Sequence, residues 1–371
     1  MTAEPVTGAW RIGDPPGRRQ FVTGPELTLE AGGVLPGYTL AYETWGTPNS
    51  DASNAILVEH ALTGDSHAAG PAERGHPSAG WWDGLIGPGK ALDTKEFFVV
   101  VPNVLGGCQG STGPSSPDPD GTPWGSRFPV VTVRDQVATE AVLADALGIT
   151  RWAAVVGGSM GGMRALEWAV SLPSRVATVL VLASTARASA EQIAWAAPQL
   201  HAIRADPDWH GGDYYSAPAG PYRGLGVARR IAHVTYRSEP ELADRFGRNY
   251  QRGEDPLRGG RFAVESYLDH HAEKLAGRFD ANSYLVLTES MNTHDVGRDR
   301  GGVAAALGRA TARAVIGGVD SDRLYPLYQS AEIAAGIKGT TEPAVVTSPY
   351  GHDSFLIETE QIAALVKALL G

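Results

Sequence analysis

Apolar and polar positions alternate over Tyr38–Trp45 (YTLAYETW), the pattern of a half-buried strand. Two short β-rich runs follow at 55–59 (AILVE) and 97–102 (FFVVVP), apolar enough for strands covered on both faces. Residues 133–147 change period. Val133, Val137, Ala141, Ala144 and Leu147 fall at helical spacing, and Gly148 follows as a helix stop. A strand is expected at 152–156, a helix at 161–172 ending before Pro173, and a further buried strand at 176–183 (VATVLVLA). Strands alternating with helices imply a mostly parallel sheet with both faces covered.

That rhythm stops between residues 185 and 295, where Trp, Tyr, His, Arg and Ala dominate. Helical stretches such as 225–236 and 261–275 are expected there, with no strong strand run. Strand patterns resume at 314–318 (AVIGG) and 343–347 (PAVVT), and a terminal helix is expected at 359–370. The economical reading is one α/β core, residues 1–184 and 296–371, interrupted by a helical lid insertion, residues 185–295. The first thirty or so residues read as an irregular arm or an early edge strand.

Composition narrows the function classes. Hydrophobic residues make up 43% of the 371, enough for a sizeable core. A formal net charge of −10 argues against a nucleic-acid partner. The single cysteine, Cys108, excludes an internal disulfide and cysteine-based zinc sites, and no metal site is expected. No basic cluster followed by an apolar run is visible near Met1, and no apolar stretch is long enough to span a membrane. A cytoplasmic protein is the expectation.

The segment Gly157-Gly158-Ser159-Met160-Gly161-Gly162 contains G-x-S-x-G between an expected strand and an expected helix. A serine on such a turn sits on strained backbone at a helix N-terminus, where the dipole and free amides favour developing negative charge. The run lacks the GK[ST] ending of a phosphate-binding loop and the spacing of a dinucleotide loop. Ser159 is therefore the candidate nucleophile. Cys108 lies in a glycine loop with no such turn around it.

A serine nucleophile needs a base, and the base needs a carboxylate to fix its tautomer. In this fold class the order along the chain is Ser, acid, His. Asp320 and Asp322 follow the 314–318 strand and His352 follows the 343–347 strand. Asp320 is preferred to Asp322 because it lies nearer the strand end. The oxyanion donors are expected to be the backbone N–H groups of Met160 and of Leu62, the latter in the loop after the 55–59 strand.

Several segments together resemble the homoserine O-acetyltransferase family: 60–64 (HALTG), 81–83 (WWD), 103–114 (NVLGGCQGSTGP), 157–162 (GGSMGG) and 350–353 (YGHD). The resemblance runs from about Leu35 to the C-terminus. It implies an α/β-hydrolase fold with a helical lid, a homodimer, and acetyl transfer from acetyl-CoA, a co-substrate, to L-homoserine in methionine biosynthesis, with no cofactor. It matches Ser159, Asp320 and His352 to the family's triad, and Arg229 and Asp353 to its substrate-binding arginine and acid. A zwitterionic acceptor independently calls for one cation and one anion in its site.

The implied reaction is a two-step exchange. Ser159 takes the acetyl group from the thioester with His352 as base, CoA leaves, and the acetyl moves to the homoserine hydroxyl while a lid excludes water. The alternatives are succinyl transfer or a serine acceptor on the same fold, an esterase, and a non-catalytic relative acting as a binding module.

Overall fold

The computed structural model describes residues 6–371. Eight strands form its main sheet: β1 (Gln20–Gly24), β2 (Tyr38–Trp45), β3 (Ala55–Glu59), β4 (Phe98–Pro102), β5 (Trp152–Gly158), β6 (Val176–Leu182), β7 (Arg313–Val319) and β8 (Ala344–Val346). They lie in the order β1-β2-β4-β3-β5-β6-β7-β8. The β1–β2 and β2–β4 pairs are antiparallel. Every other pair is parallel.

Helices α1 (Val133–Ala146) and α2 (Met160–Ser171) belong to this core. Between β6 and β7 the chain runs through α3 (Ala190–Arg204), α4 (Tyr222–Tyr236), α5 (Glu239–Phe246), α6 (Ala263–Ala276), α7 (Ala281–Asn292) and the short α8 (Val303–Leu307). Helix α9 (Leu327–Gly336) precedes β8, and α10 (Ser354–Ile357) and α11 (Thr359–Leu370) close the chain. Among the described residues no helix is long and apolar enough to cross a membrane.

The central strands are buried on both faces, and their alternation divides the core in two. Leu57, Val100, Val155 and Val179 pack toward α1, α2 and α9. Ile56, Val58, Val99, Val156 and Leu180 pack on the other side with Trp82 and with Ile362, Val366 and Leu369 of α11. The expected elements appear within a residue or two of their limits in the core. Gly148 takes the left-handed conformation after α1 (φ 71°) that lets a glycine end a helix.

Strand β2 departs from the half-buried expectation, since Leu40, Ala41, Tyr42 and Glu43 are all buried. Its outer side is covered by the loop after β4. The Asn103 amide donates to the Ala41 carbonyl, the Thr112 amide to the Thr39 carbonyl, and the Ala41 amide to Ser111 Oγ. The glycine–cysteine–glutamine run in that loop is scaffolding. Gln109 Nε2 donates to the Arg278 carbonyl at 2.7 Å, and Cys108 is buried with its thiol pushed up by that burial.

A buried charge cluster ties α1 and α2 to the end of β3. Arg164 Nη1 lies 2.7 Å from Glu59 Oε2 and 2.8 Å from Glu140 Oε1, and its Nη2 donates to the His60 carbonyl at 2.7 Å. Burial, reinforced by the Glu140 charge, pushes the Glu59 carboxyl well above the usual range despite Arg164. Breaking such a cluster strands charge in the core. Arg164→Ala should lose about 3–5 kcal/mol of stability, measured by urea denaturation. A loss within the usual scatter for surface substitutions would contradict the structural role assigned to this arginine.

Candidate active site

The turn from β5 into α2 places Ser159 at φ 57°, ψ −123°, a conformation that L residues with a side chain rarely adopt. Two contacts pin it there: its amide donates to the Leu182 carbonyl at 2.9 Å, and Ser184 Oγ donates to its carbonyl at 2.8 Å. The flanking glycines are steric requirements. A Cβ on Gly157 would sit 2.1 Å from the Gly161 carbonyl oxygen, and one on Gly161 would sit 2.1 Å from that of Glu59. Strand, elbow and helix can approach this closely only without side chains.

His352, in the loop after β8, brings its Nε2 to 2.9 Å from Ser159 Oγ. Its Nδ1 lies 2.7 Å from Asp322 Oδ2. With Nδ1–H donating to the carboxylate, Nε2 is free to accept the serine proton. The imidazole is held between aromatic rings, stacked on Tyr325 at 4.9 Å and edge-on to Phe355 at 5.4 Å. Trp82, from the 81–83 motif, steadies this loop by donating its indole N–H to the Phe355 carbonyl at 3.1 Å.

The acid is Asp322, and the expectation of Asp320 is corrected. Asp320 is exposed, and its amide still donates to the Val346 carbonyl of β8. Its Oδ1 accepts the Ser348 amide at 3.1 Å, so it braces the β7–β8 ends and makes no bond to His352. Two residues later the chain has turned inward. Asp322 is buried, and its Oδ1 accepts the amides of Leu324 and Tyr325 at 2.8 and 2.9 Å. Those bonds leave Oδ2 for the imidazole. Nearness to the strand end was the wrong criterion, because the turn's own amides fix the side chain more firmly than the strand does.

The residues expected to supply the oxyanion donors, Met160 and Leu62, pack in one apolar cluster. Met160 N–H heads α2, where the first amides of a helix lack partners within it. Leu62 packs in the same apolar cluster as Met160. Its loop is clamped by Arg164 on the His60 carbonyl and by Arg278 Nη2 on the Thr63 carbonyl at 2.6 Å. Burial pulls the His60 imidazole well below its ordinary pKa. It is a neutral structural ring, accepting the Val104 amide at Nε2 (3.1 Å) and donating from Nδ1 to the Ala61 carbonyl (2.7 Å).

Arg229 and Asp353 both lie near the histidine, close enough for the arginine's charge to act on the acid. The Arg229 guanidinium lies over the Tyr236 ring (5.5 Å), which is itself 5.8 Å from the His352 ring. Its buried Nε and Nη1 have no hydrogen-bond partner among the described residues. Asp353 is pushed up by burial, opposed by the charges of Arg237, His352 and Arg229. Its Oδ2 lies 3.3 Å from Arg237 Nε. Sequence reasoning missed Tyr236, Tyr325 and Arg237. Tyr236 was reachable, since it lies seven residues after Arg229 and therefore on the same face of α4. Tyr325 and Arg237 carry no sequence signal, because their roles depend on which loops meet.

The groups suited to a metal lie elsewhere. Buried Glu43, His67 and His76 bring ligand-type atoms within 4.8 Å of one another. The two imidazoles are stacked at 3.9 Å and 11°. A ring nitrogen's lone pair lies in the ring plane, so two parallel stacked rings cannot both aim at one ion. His67 Nδ1 instead pairs with Glu43 Oε2 at 3.0 Å, and His76 Nε2 accepts the Arg18 amide at 3.3 Å. The cluster reads as an ion pair that fastens the arm to β2.

Residues 54–359 match the α/β hydrolase fold family. The chain is 67% identical to a homoserine O-acetyltransferase of Thermobifida fusca, over 99% of this chain and 97% of that one. It belongs to the homoserine O-acetyltransferase family. A solved homoserine O-acetyltransferase from Bacillus anthracis superposes with a TM-score of 0.87 at 29% identity, over 95% of this chain and 97% of that one. Esterase E22 superposes nearly as well, with a TM-score of 0.86 at 28% identity over 95% and 99% of the two chains. A transferase and an esterase thus share nearly the same backbone with this chain.

Replacing the two aspartates separately tests the corrected acid. Asp322→Asn should slow acetylation of Ser159 by a chromogenic acetyl ester about 10³–10⁴-fold by allowing the wrong tautomer. Asp320→Asn should stay within a few-fold of the unsubstituted protein. The reverse ranking would restore Asp320.

Proposed function

We propose that this chain transfers the acetyl group of acetyl-CoA to the side-chain hydroxyl of L-homoserine through an acetyl-Ser159 intermediate, as a step of methionine biosynthesis. The observation that carries the reading is Arg229, a partly buried arginine whose buried Nε and Nη1 have no partner among the described residues, close to an acid, Asp353, beside the His352–Ser159 couple. Buried guanidinium nitrogens without acceptors are costly and suit an anion. An α-amino acid supplies a carboxylate for Arg229 and an ammonium for Asp353, leaving its hydroxyl near His352. The 67% identity to the Thermobifida fusca enzyme supports this acceptor and donor.

In the first step His352 Nε2 takes the Ser159 proton and Oγ attacks the thioester carbonyl. The Leu62 and Met160 amides hold the oxyanion, as the loop and helix ends that carry them would allow. The carbon–sulfur bond breaks, and His352 returns the proton to the departing thiolate. In the second step His352 deprotonates the homoserine hydroxyl, which attacks the acetyl carbonyl. Ser159 Oγ leaves and recovers the proton. Asp322 holds the tautomer throughout and stabilises the imidazolium.

Residues 185–295 act in this reading as the lid that keeps water from the acetyl-enzyme. Residues 1–184 and 296–371 form the catalytic core. We also propose that the protein works as a homodimer in the cytoplasm, where acetyl-CoA and homoserine meet, and that it needs no cofactor.

Mass spectrometry of the protein incubated separately with acetyl-CoA and succinyl-CoA tests the donor and the nucleophile together. The expected result is an acetyl adduct on the Ser159 peptide, absent in Ser159→Ala and discharged by homoserine far faster than by water. Product formation with no adduct on Ser159 would overturn the scheme, and rapid discharge by water alone would make the protein an esterase. Arg229→Ala should raise the homoserine KM about 10–100-fold, the worth of a charged hydrogen bond, in steady-state assays. An unchanged KM would remove Arg229 from the acceptor site.

A further inference from the structure

Asp353 stands in a dense set of charges. Arg237 Nε faces it at 3.3 Å from the end of α4. Arg229 and Tyr236 face it from α4, Tyr267 from α6, Asp322 from the loop after β7, and its chain neighbour His352 from the same loop. Arg237 is itself nearly buried, with its side chain 11% exposed. It is held from the far side by Glu241 Oε1 at 3.8 Å and lies 5.9 Å over the Tyr350 ring. The imidazoles of His233 and His271 also feel its charge, and burial drives both toward the neutral form. They add no competing cation. The lid and the histidine loop are joined at the same place, since Ser238 Oγ donates to the Pro349 carbonyl.

We infer that Arg237 is a positioning residue for the acceptor: it keeps the Asp353 carboxylate ionised and orients it for the substrate ammonium. This rests on the reading of Asp353 as the ammonium partner. The physical need is plain. Burial favours the neutral acid, and a neutral acid would not attract an ammonium ion. Arg237 supplies the opposing field before substrate arrives. Its Nε lies 3.3 Å from the carboxylate but in poor hydrogen-bonding alignment, so it fixes charge without consuming the acceptor lone pairs. The device sits on the lid side of the cleft, so acceptor recognition is complete only when the lid and the histidine loop are docked.

The test separates acceptor binding from acylation. In Arg237→Gln the homoserine KM should rise about tenfold at neutral pH, the lower end of what a charge-assisted contact contributes. The sign of the pH effect follows. Without Arg237 the raised Asp353 pKa rises further, so the variant's KM should fall toward the unsubstituted value as pH is raised. Acetylation of Ser159 by a chromogenic acetyl ester, measured without homoserine, should stay within about twofold, and Arg237→Lys should restore most of the KM.

Asp353→Asn serves as the control. If it raises KM while Arg237→Gln does not, the inference is overturned and the acceptor reading stands. If Asp353→Asn leaves KM unchanged, both fall. A parallel drop in acylation and acceptor use in Arg237→Gln, with no pH-dependent recovery, would show a merely structural arginine and also overturn the inference.

Discussion

The site depends on a single strained residue. Ser159 is held at positive φ where β5 turns into α2, and this conformation lifts its Oγ out of the sheet and toward His352. Strain of this kind costs on the order of 1–3 kcal/mol and persists only when its surroundings over-determine it. Here they do. The Ser159 amide and carbonyl are bonded to Leu182 and Ser184, and Gly157 and Gly161 let β5, α2 and β3 close to distances that no side chain would allow. The loops carrying Asp322 and His352 then need only meet that one point.

Two treatments of buried arginine separate scaffold from site. Arg164 is surrounded by Glu59, Glu140 and the His60 carbonyl, and it braces the loop that carries Leu62. Arg229 lies over Tyr236 with two donor nitrogens unpartnered among the described residues. In the first arrangement both terminal nitrogens meet acids or a carbonyl, whereas the second leaves Nη1 and Nε open to a ligand. A cation with free donors beside a reactive pair suits a site for a charged substrate.

Much of the core was legible because parallel strands buried on both faces are written as uninterrupted apolar runs, as in β3, β4 and β6. The elbow was legible because steric closeness demands glycine at fixed positions. Asp322 was not. Two aspartates in one turn differ only in which way the chain carries them, and that is decided by the Leu324 and Tyr325 amides and by β8, none of which a local pattern reveals. The half-buried reading of β2 failed for a related reason, because the 103–114 loop that covers it comes from sixty residues away. In the helical segment α4 and α6 were visible, but the meeting of α4 with the histidine loop, which brings Arg237 to Asp353, was not.

In the proposed mechanism Ser159, poised by its elbow and by the His352–Asp322 pair, carries the acetyl group from CoA to the homoserine hydroxyl. Isotope exchange tests it most directly. With labelled CoA and unlabelled acetyl-CoA, and no homoserine, the account predicts steady transfer of label into acetyl-CoA, abolished in Ser159→Ala, because the acetyl-enzyme forms and reverses alone. Exchange that appears only when homoserine is present would mean direct transfer within a ternary complex, and would contradict the role given to Ser159.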